Sequence, residues 1–208
     1  MQIRSFELPP IGTNAILFDD GEHAVLFDAP ATAWQTVLPI LEEEGLTLDA
    51  LILTHGHWDH MVDTANFHGA KIPVWAHEAD REWIENPMRQ IAFLPPGYEI
   101  PPSQVDRFLA AGEKVTILGQ EAEIRHVPGH SPGNIAIYFP QEKCCVVGDA
   151  IFAGSVGRPD LPGGDWPTLE KSIKTQLFTL PDETILYPGH GPITSVGQEK
   201  KTNPYVHG

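Results

Sequence analysis

The segment LTHGHWDH, residues 53 to 60, constrains this chain more than any other. It sets three histidines and an aspartate within six positions, from 55 to 60. Packing gives no reason for such a cluster, since polar groups are costly to bury without partners. All four side chains can bind a metal ion. Metal binding is therefore the first hypothesis for this stretch.

The spacing inside the cluster favours two ions over one. The preceding apolar run LDALILT is typical of a strand buried in a mixed sheet. A strand that ends at Thr54 presents His55 and His57 to the same side, so they can bind one ion together. Asp59 and His60 fall at the start of a predicted helix, where neighbours diverge by about 100°. That pair suits a second ion beside the first.

Three later stretches repeat the pattern of a metal-capable residue at the end of a predicted strand. VPGHSPGN places His130 in a Gly/Pro turn, VVGDAIF places Asp149 after an apolar strand, and YPGHGPI places His190 after another. Each has an adjacent glycine, which lets the backbone approach closely. With the first cluster they make seven candidate ligands.

Composition excludes several classes of function. With 208 residues, 41% of them apolar, the chain can bury a sizeable core, and we expect a single domain over 1–208. The formal net charge of -15 disfavours nucleic acid as a partner. The two cysteines, Cys144 and Cys145, are adjacent and exclude a disulfide framework. No signal segment or apolar run of membrane length is present, which predicts a cytoplasmic protein that does not span a membrane.

The rest of the pattern alternates between strands and helices. It predicts two β-rich halves, each covered by helices. Asp20-Gly21 is predicted to turn one strand into the next, and Leu118-Gly119-Gln120 to form a second hairpin. The segment from Pro87 to Pro102 shows no clear period and is predicted to be a long surface excursion. It could cover a pocket, form an interface or act as a spacer.

The motif HGHWDH, followed in order by His130, Asp149 and His190, resembles the metallo-β-lactamase superfamily over essentially the whole chain. The resemblance implies an α/β fold, a four-layer αββα sandwich, with a dinuclear metal site at the edge between its two sheets. Carried over position by position, it implies two ligand sets and a bridge: His55, His57 and His130 for one metal, Asp59, His60 and His190 for the other, and Asp149 between them.

The donor types bear on the metal and on the chemistry. Imidazole and carboxylate suit zinc, iron or manganese, and no cysteine falls at a ligand position. We expect two divalent ions, with zinc as the first choice and iron or manganese as alternatives. Such a pair acidifies a shared water, and a bridging hydroxide attacks a carbonyl. The resemblance implies catalytic roles for Asp59 and Asp149, which lower the charge of the centre and orient the hydroxide.

Two further stretches resemble one group within the superfamily. GDAIFAGSVGRPDLPGG and YPGHGPITSVGQEKKTNPY are similar to short bacterial members of the glyoxalase II (hydroxyacylglutathione hydrolase) group that lack its C-terminal helical domain. The resemblance implies hydrolysis of S-(2-hydroxyacyl)glutathione, such as S-lactoylglutathione, to a hydroxy acid and glutathione. Thiolate is a good leaving group and needs no general acid. Arg158 is the candidate substrate-binding residue, with an unremarkable surface arginine as the alternative.

Other functions remain open at this point. A persulfide dioxygenase with a single iron shares a GR-x-D stretch like Gly157 to Asp160, and lactone or ester hydrolases share the fold. Flavodiiron carriers would have glutamate in place of His57, and nucleases fit the acidic charge poorly. A binding module without catalysis would keep metal and fold but not turnover. Asp28, which ends the predicted strand AVLFD, is expected either to accept a hydrogen bond from a ligand imidazole or to lead into a helix. The oligomeric state is not predicted.

Overall fold

The structure is a computed structural model that describes residues 1–208. The chain divides into two compact units, Met1–Phe108 and Leu109–Gly208. Each unit contains one six-stranded sheet with helices. The predicted division into two β-rich halves is confirmed. The grouping of both halves into a single domain stays a prediction.

The first unit builds a mixed sheet whose strands lie in sequence order. β1 pairs with β2 and β2 with β3 in antiparallel fashion, while the later neighbours are parallel. The predicted turn at Asp20-Gly21 is confirmed, since it joins β2 to β3 and the Asp20 N–H donates to the His23 carbonyl at 3.1 Å. The strands are β1 (Gln2–Leu8), β2 (Thr13–Asp19), β3 (His23–Phe27), β4 (Thr47–Ile52), β5 (Val74–Ala76) and β6 (Arg107–Phe108).

Four α-helices accompany this sheet, and the first of them is the longest. It runs through Pro39 and ends at Gly45, which adopts φ 69° and donates its N–H to the Leu41 carbonyl. Its buried residues Ala33, Val37 and Leu41 recur every four positions and pack in the unit's apolar core, so burial offsets the proline. The helices are α1 (Ala33–Glu44), α2 (Trp58–Met61), α3 (Thr64–Gly69) and α4 (Arg81–Glu85).

Two details of the first unit differ from the sequence-based prediction. The helix predicted from Asp59 onward is broken into α2 and α3, because backbone groups there bond outside the helix. The Ala29 N–H donates to the His60 carbonyl at 2.7 Å, and the Asp63 N–H donates to the Ala29 carbonyl at 3.0 Å. The excursion after α4 begins with a 3-10 helix, Pro87–Phe93, in which Gln90 is buried.

The second unit builds a sheet in the order β14-β13-β10-β9-β8-β7. β10 and β13 are parallel, and the other neighbours are antiparallel. The predicted hairpin is confirmed, with Leu118 and Gly119 at φ 48° and 71° between β7 and β8. The sheet strands are β7 (Lys114–Ile117), β8 (Gln120–His126), β9 (Ile135–Phe139), β10 (Cys144–Gly148), β13 (Ile185–Pro188) and β14 (Thr194–Ser195).

Elements that the sequence did not indicate complete this unit. A two-stranded hairpin, β11 (Ile151–Phe152) with β12 (Ser155–Val156), follows β10, and α6 (Val196–Thr202) follows β14. Another helix, α5 (Trp166–Ser172), begins after Asp165, whose carboxylate caps it by accepting from the Thr168 N–H at 2.9 Å. It continues as a π-helical turn, Ile173–Leu177.

Strand direction decides where the candidate ligands lie. β3 and β4 are parallel, so the residues that follow them emerge at one edge of the first sheet. In the second sheet β8, β10 and β13 share one direction, since β8 and β10 are each antiparallel to β9 and β13 is parallel to β10. Each unit therefore gathers its candidate ligands at a single sheet edge. Among the described helices, none has the length and apolar character needed to cross a membrane.

Candidate metal centre

The first unit brings its four predicted ligands into one buried cluster. His55, His57, Asp59 and His60 are 1%, 5%, 6% and 0% exposed. The ring centroid of His55 lies 4.7 Å from that of His57 and 4.1 Å from that of His60. Candidate ligand atoms of these neighbours, and of Asp59 and His60, lie within 4.8 Å of one another. Burying four polar side chains together costs free energy, and binding of a metal ion would offset that cost.

Asp28 holds two of these histidines in a defined tautomer. The Asp28 carboxylate accepts from His60 Nδ1 at 2.7 Å, so the predicted hydrogen bond to a candidate ligand is confirmed. It also accepts from the Thr54 hydroxyl at 2.8 Å, and that hydroxyl lies 3.1 Å from His55 Nδ1. A hydroxyl that donates to a carboxylate is left to accept, so both imidazoles carry their proton on Nδ1. This tautomer places the lone pair of each ring on Nε2, the atom that would bind a metal.

Asp59 is oriented by a residue at the start of β2. The hydroxyl of Thr13, the first residue of β2, donates to Asp59 Oδ2 at 2.8 Å. The same oxygen lies 3.3 Å from His60 Nε2. Asp59 and His60 are neighbours in α2, and their metal-capable atoms meet although their Cα–Cβ bonds diverge. That the two residues serve one ion stays a prediction.

The second unit forms a cluster of its own around Asp149. Asp149 Oδ2 lies 3.5 Å from His130 Nε2 and 3.5 Å from His190 Nε2. The Asp149 and His130 side chains are 8% and 4% exposed, whereas that of His190 is 23% exposed. Both imidazoles thus face one carboxylate oxygen at a separation longer than a good hydrogen bond. This geometry fits a carboxylate that shares ions with both histidines.

Hydrogen bonds within this unit fix the His130 ring and the Asp149 backbone. His130 Nδ1 donates to the Arg158 carbonyl at 2.9 Å, which again leaves Nε2 for a metal. The Asp149 N–H donates to the buried Asn134 side chain at 3.2 Å. Gly129 adopts φ 126°, and a Cβ there would lie 2.3 Å from the Leu169 nitrogen. The predicted role of glycine beside His130, close approach of the backbone, is confirmed at this position.

The Arg158 side chain is held away from these groups. It is 70% exposed and makes two hydrogen bonds to Asp160, at 3.0 and 2.9 Å. Hydrogen bonding within this pair raises the pKa of Arg158 and lowers the pKa of Asp160. Only the Arg158 carbonyl touches a candidate ligand. The proposed role of its side chain in substrate binding stays a prediction.

The residues present fit divalent metal ions. Both clusters offer imidazole and carboxylate donors. His60 and His130 each donate the Nδ1 proton to a protein oxygen, which leaves Nε2 as the atom that would bind a metal. Thiolate donors are disfavoured, because burial raises the pKa of Cys144 to about 12 and raises that of Cys145 further. The set selects borderline metals and leaves zinc, iron and manganese open.

Comparison with known proteins gives the family. The sequence matches the family described as Metallo-beta-lactamase superfamily over residues 8–190. The chain belongs to the metallo-β-lactamase superfamily. It is 35% identical to the hydroxyacylglutathione hydrolase GloC of Haemophilus influenzae over 204 residues, which cover 93% of this chain and 92% of that protein.

Solved structures of the superfamily agree with the fold. The BLEG-1 B3 metallo-beta-lactamase superposes with a TM-score of 0.91 at 36% identity and covers all of both chains. TTHA1623, crystallised in a di-iron-bound form, superposes with a TM-score of 0.86 at 37% identity, over 98% of this chain and 100% of that one. The predicted metallo-β-lactamase fold is confirmed. This superfamily fold binds divalent metals, and its members are metallohydrolases.

Sequence reasoning missed three polar residues that support the clusters. Thr13, Thr54 and Asn134 are fully buried, and each donates or accepts a hydrogen bond at a candidate ligand or at its support. Thr54 and Asn134 stand inside the quoted motifs LTHGHWDH and VPGHSPGN. Their position beside ligands was the available signal. Nothing in the sequence connects Thr13 with Asp59, which lies 46 residues away.

Replacement of Asp28 by asparagine tests the support of the first cluster. Asparagine tolerates the left-handed backbone at this position, φ 61°, but its NH2 group cannot accept the hydrogen bonds that His60 Nδ1 and the Thr54 hydroxyl donate. We expect metal affinity to fall about 10- to 100-fold. Competition with a chromophoric chelator measures it. Asp49→Asn is the matched control, since Asp49 pairs with His23 at 2.8 Å on the surface. Equal affinities in both variants would contradict the assignment.

Proposed function

We propose that this protein is a metal-dependent thioester hydrolase of the glyoxalase II type. Its substrate is an S-(2-hydroxyacyl)glutathione, such as S-lactoylglutathione, and its products are a hydroxy acid and glutathione. The observation that carries the proposal is the 35% identity to a hydroxyacylglutathione hydrolase over nearly the full length of both proteins. The buried imidazole and carboxylate clusters support a hydrolytic metal centre of this kind.

We assign the metal ligands as the family resemblance implies. The proposed ligands are His55, His57 and His130 for one ion, Asp59, His60 and His190 for the other, and Asp149 as the bridge. The clustering of each group within its own unit supports the assignment. Zinc is the proposed metal, and the di-iron form of a structural relative keeps iron as an alternative. Two such ions supply a Lewis acid and a hydroxide nucleophile at neutral pH.

The residues of the chain provide orientation and charge. The Thr13 hydroxyl holds Asp59 by donating to its Oδ2 atom, and the Asp59 carboxylate would orient the attacking water. Asp149 contributes negative charge between two imidazoles, which holds them in place as the acyl carbon becomes tetrahedral. The leaving thiolate needs no proton at neutral pH, so the chemistry does not require a dedicated general acid.

The partner of this site is a small molecule, and we propose the cytoplasm as its compartment. The buried free thiols of Cys144 and Cys145 fit a reducing environment. Arg158 is the proposed contact for the thiol peptide, which would require its guanidinium to leave Asp160. Lys200 and Lys201, at the end of α6, are further candidates for a carboxylate of glutathione.

A comparison of substrates tests the proposal against its competitors. We expect kcat/KM for release of free thiol from S-lactoylglutathione to be at least tenfold higher than kcat/KM for hydrolysis of a homoserine lactone or a β-lactam. The β-lactam is included because a lactamase is among the structural relatives. Metal-stripped protein is the control. Oxygen uptake with glutathione persulfide, without thioester turnover, would move the function to a persulfide dioxygenase.

A further inference from the structure

The carboxamide of Gln90 spans the backbone on both sides of His57. Gln90 Nε2 donates to the Gly56 carbonyl at 2.8 Å, and Gln90 Oε1 accepts from the Trp58 N–H at 3.0 Å. Gln90 is 4% exposed, so both bonds are made away from bulk water. A single side chain therefore satisfies the two peptide groups that flank one candidate ligand.

These bonds fix the conformation from which the His57 side chain projects. His57 precedes α2 in extended conformation, φ -71° and ψ 146°, and its own side chain makes no capping hydrogen bond. Trp58 is the first residue of α2, and its N–H has no acceptor within the helix. Gln90 supplies that acceptor. Loss of the carboxamide would leave a buried donor and a buried acceptor unpaired and free the His57 backbone to rotate.

Asp80 completes the support from the same side. Its carboxylate, in a residue 1% exposed, accepts from the Gly56 N–H at 2.8 Å. A Cβ at Gly56 would lie 3.0 Å from Asp80 Cβ and 3.2 Å from the Asp80 carbonyl oxygen. The backbone before His57 therefore lies directly against Asp80. The side chains of Asp80 and Gln90 thus hydrogen-bond three successive peptide groups of the segment that carries His57.

Gln90 also anchors the segment that the sequence left without a role. It lies in the 3-10 helix Pro87–Phe93, whose buried residues are Pro87 and Gln90 only. Its larger apolar residues Met88, Ile91 and Phe93 are 47%, 61% and 45% exposed, so Pro87 supplies the main apolar burial of this helix. The two hydrogen bonds of Gln90 attach this helix to the backbone on both sides of His57.

We propose that Gln90 is a positioning residue for the metal ligand His57, and that Pro87–Phe93 is thereby a structural part of the metal centre. The inference rests on the proposed metal assignment of His57. It is independent of the thioester substrate.

The test compares cobalt binding by two Gln90 variants and a neighbouring control. Gln90→Met keeps the length and removes both bonds, and Gln90→Glu removes only the donor to Gly56. Arg89→Ala is the control, because Arg89 is exposed and pairs with Glu82 at 3.3 Å. We expect affinity for one cobalt ion to fall about 10- to 100-fold in both Gln90 variants, with an altered visible absorption spectrum, and no change in the control. Wild-type affinity and spectrum in Gln90→Met would overturn the proposal.

A measurement on the unaltered protein serves if the variants fail to fold. Hydrogen exchange of the Trp58 amide in metal-free protein reports its bond to Gln90. We expect protection at least 100-fold above that of an unstructured amide, and exchange at the unstructured rate would overturn the proposal. Because neither readout uses turnover, absence of thioesterase activity with these results intact would refute the proposed function alone.

Discussion

Replacement of Asp149 by alanine is expected to lower turnover by more than about 100-fold and to reduce the metal content by about one ion per chain. Asp149 Oδ2 lies 3.5 Å from the Nε2 atoms of both His130 and His190. Its removal leaves two imidazoles of the cluster facing each other without the negative charge between them. An ion bound there would lose a ligand and gain like-charge repulsion from its neighbour.

A second substitution separates charge from shape at this position. Asp149→Asn keeps the side-chain volume and the backbone bond to Asn134, at 3.2 Å, but removes the negative charge. We expect metal loss similar to that of the alanine variant, since a neutral amide is a poor bridge between two cations. Asp49→Ala is the matched control, because Asp49 is an exposed carboxylate that pairs with His23 at 2.8 Å on the surface. Two metals and normal turnover in Asp149→Ala would refute the bridging role.

The second large effect is expected from Gly157→Ala. A Cβ at this position would lie 1.8 Å from the Asp149 carbonyl oxygen and 2.9 Å from His130 Nδ1. The first contact is with backbone and cannot be relieved by a side-chain rotation. The loop must therefore move away, and with it the Arg158 carbonyl that accepts from His130 Nδ1 at 2.9 Å.

Two readouts distinguish this local effect from general unfolding. We expect the free energy of unfolding of the metal-free protein to fall by about 1–3 kcal/mol, as for other overpacked sites. We expect metal affinity to fall about 10- to 100-fold, because His130 loses the partner that fixes its tautomer. Gly69→Ala is the control, since nothing lies within 4 Å of a Cβ there and its φ is ordinary. Normal metal affinity in Gly157→Ala would show that the loop does not orient His130.

Much of the fold was predictable because it follows from local patterns. Apolar runs predicted the buried strands, and Asp20-Gly21 and Leu118-Gly119 predicted the two hairpins, since both depend on neighbours in sequence. The break between α2 and α3 was not predictable, because it is caused by bonds to Ala29, more than 30 residues upstream. The burial of Gln90 was missed for the same reason, since its partners lie 32 and 34 residues away.

The candidate site shows the same division. Metal-capable residues at strand ends were visible in the sequence, and each unit gathers its own set at one sheet edge. The supports were harder to find. Asp28 could be proposed because it ends a strand as the ligands do, whereas Thr13 and Gln90 carry no such signal. Substrate preference depends on exposed side chains such as Arg158, whose position sequence patterns do not constrain.

Metal analysis of the purified protein, paired with free-thiol release from S-lactoylglutathione, tests the central claim most directly. A dinuclear thioester hydrolase predicts close to two divalent ions per chain and thiol release that disappears on chelation and returns with added metal. One iron per chain, no thiol release and oxygen uptake with glutathione persulfide would contradict it.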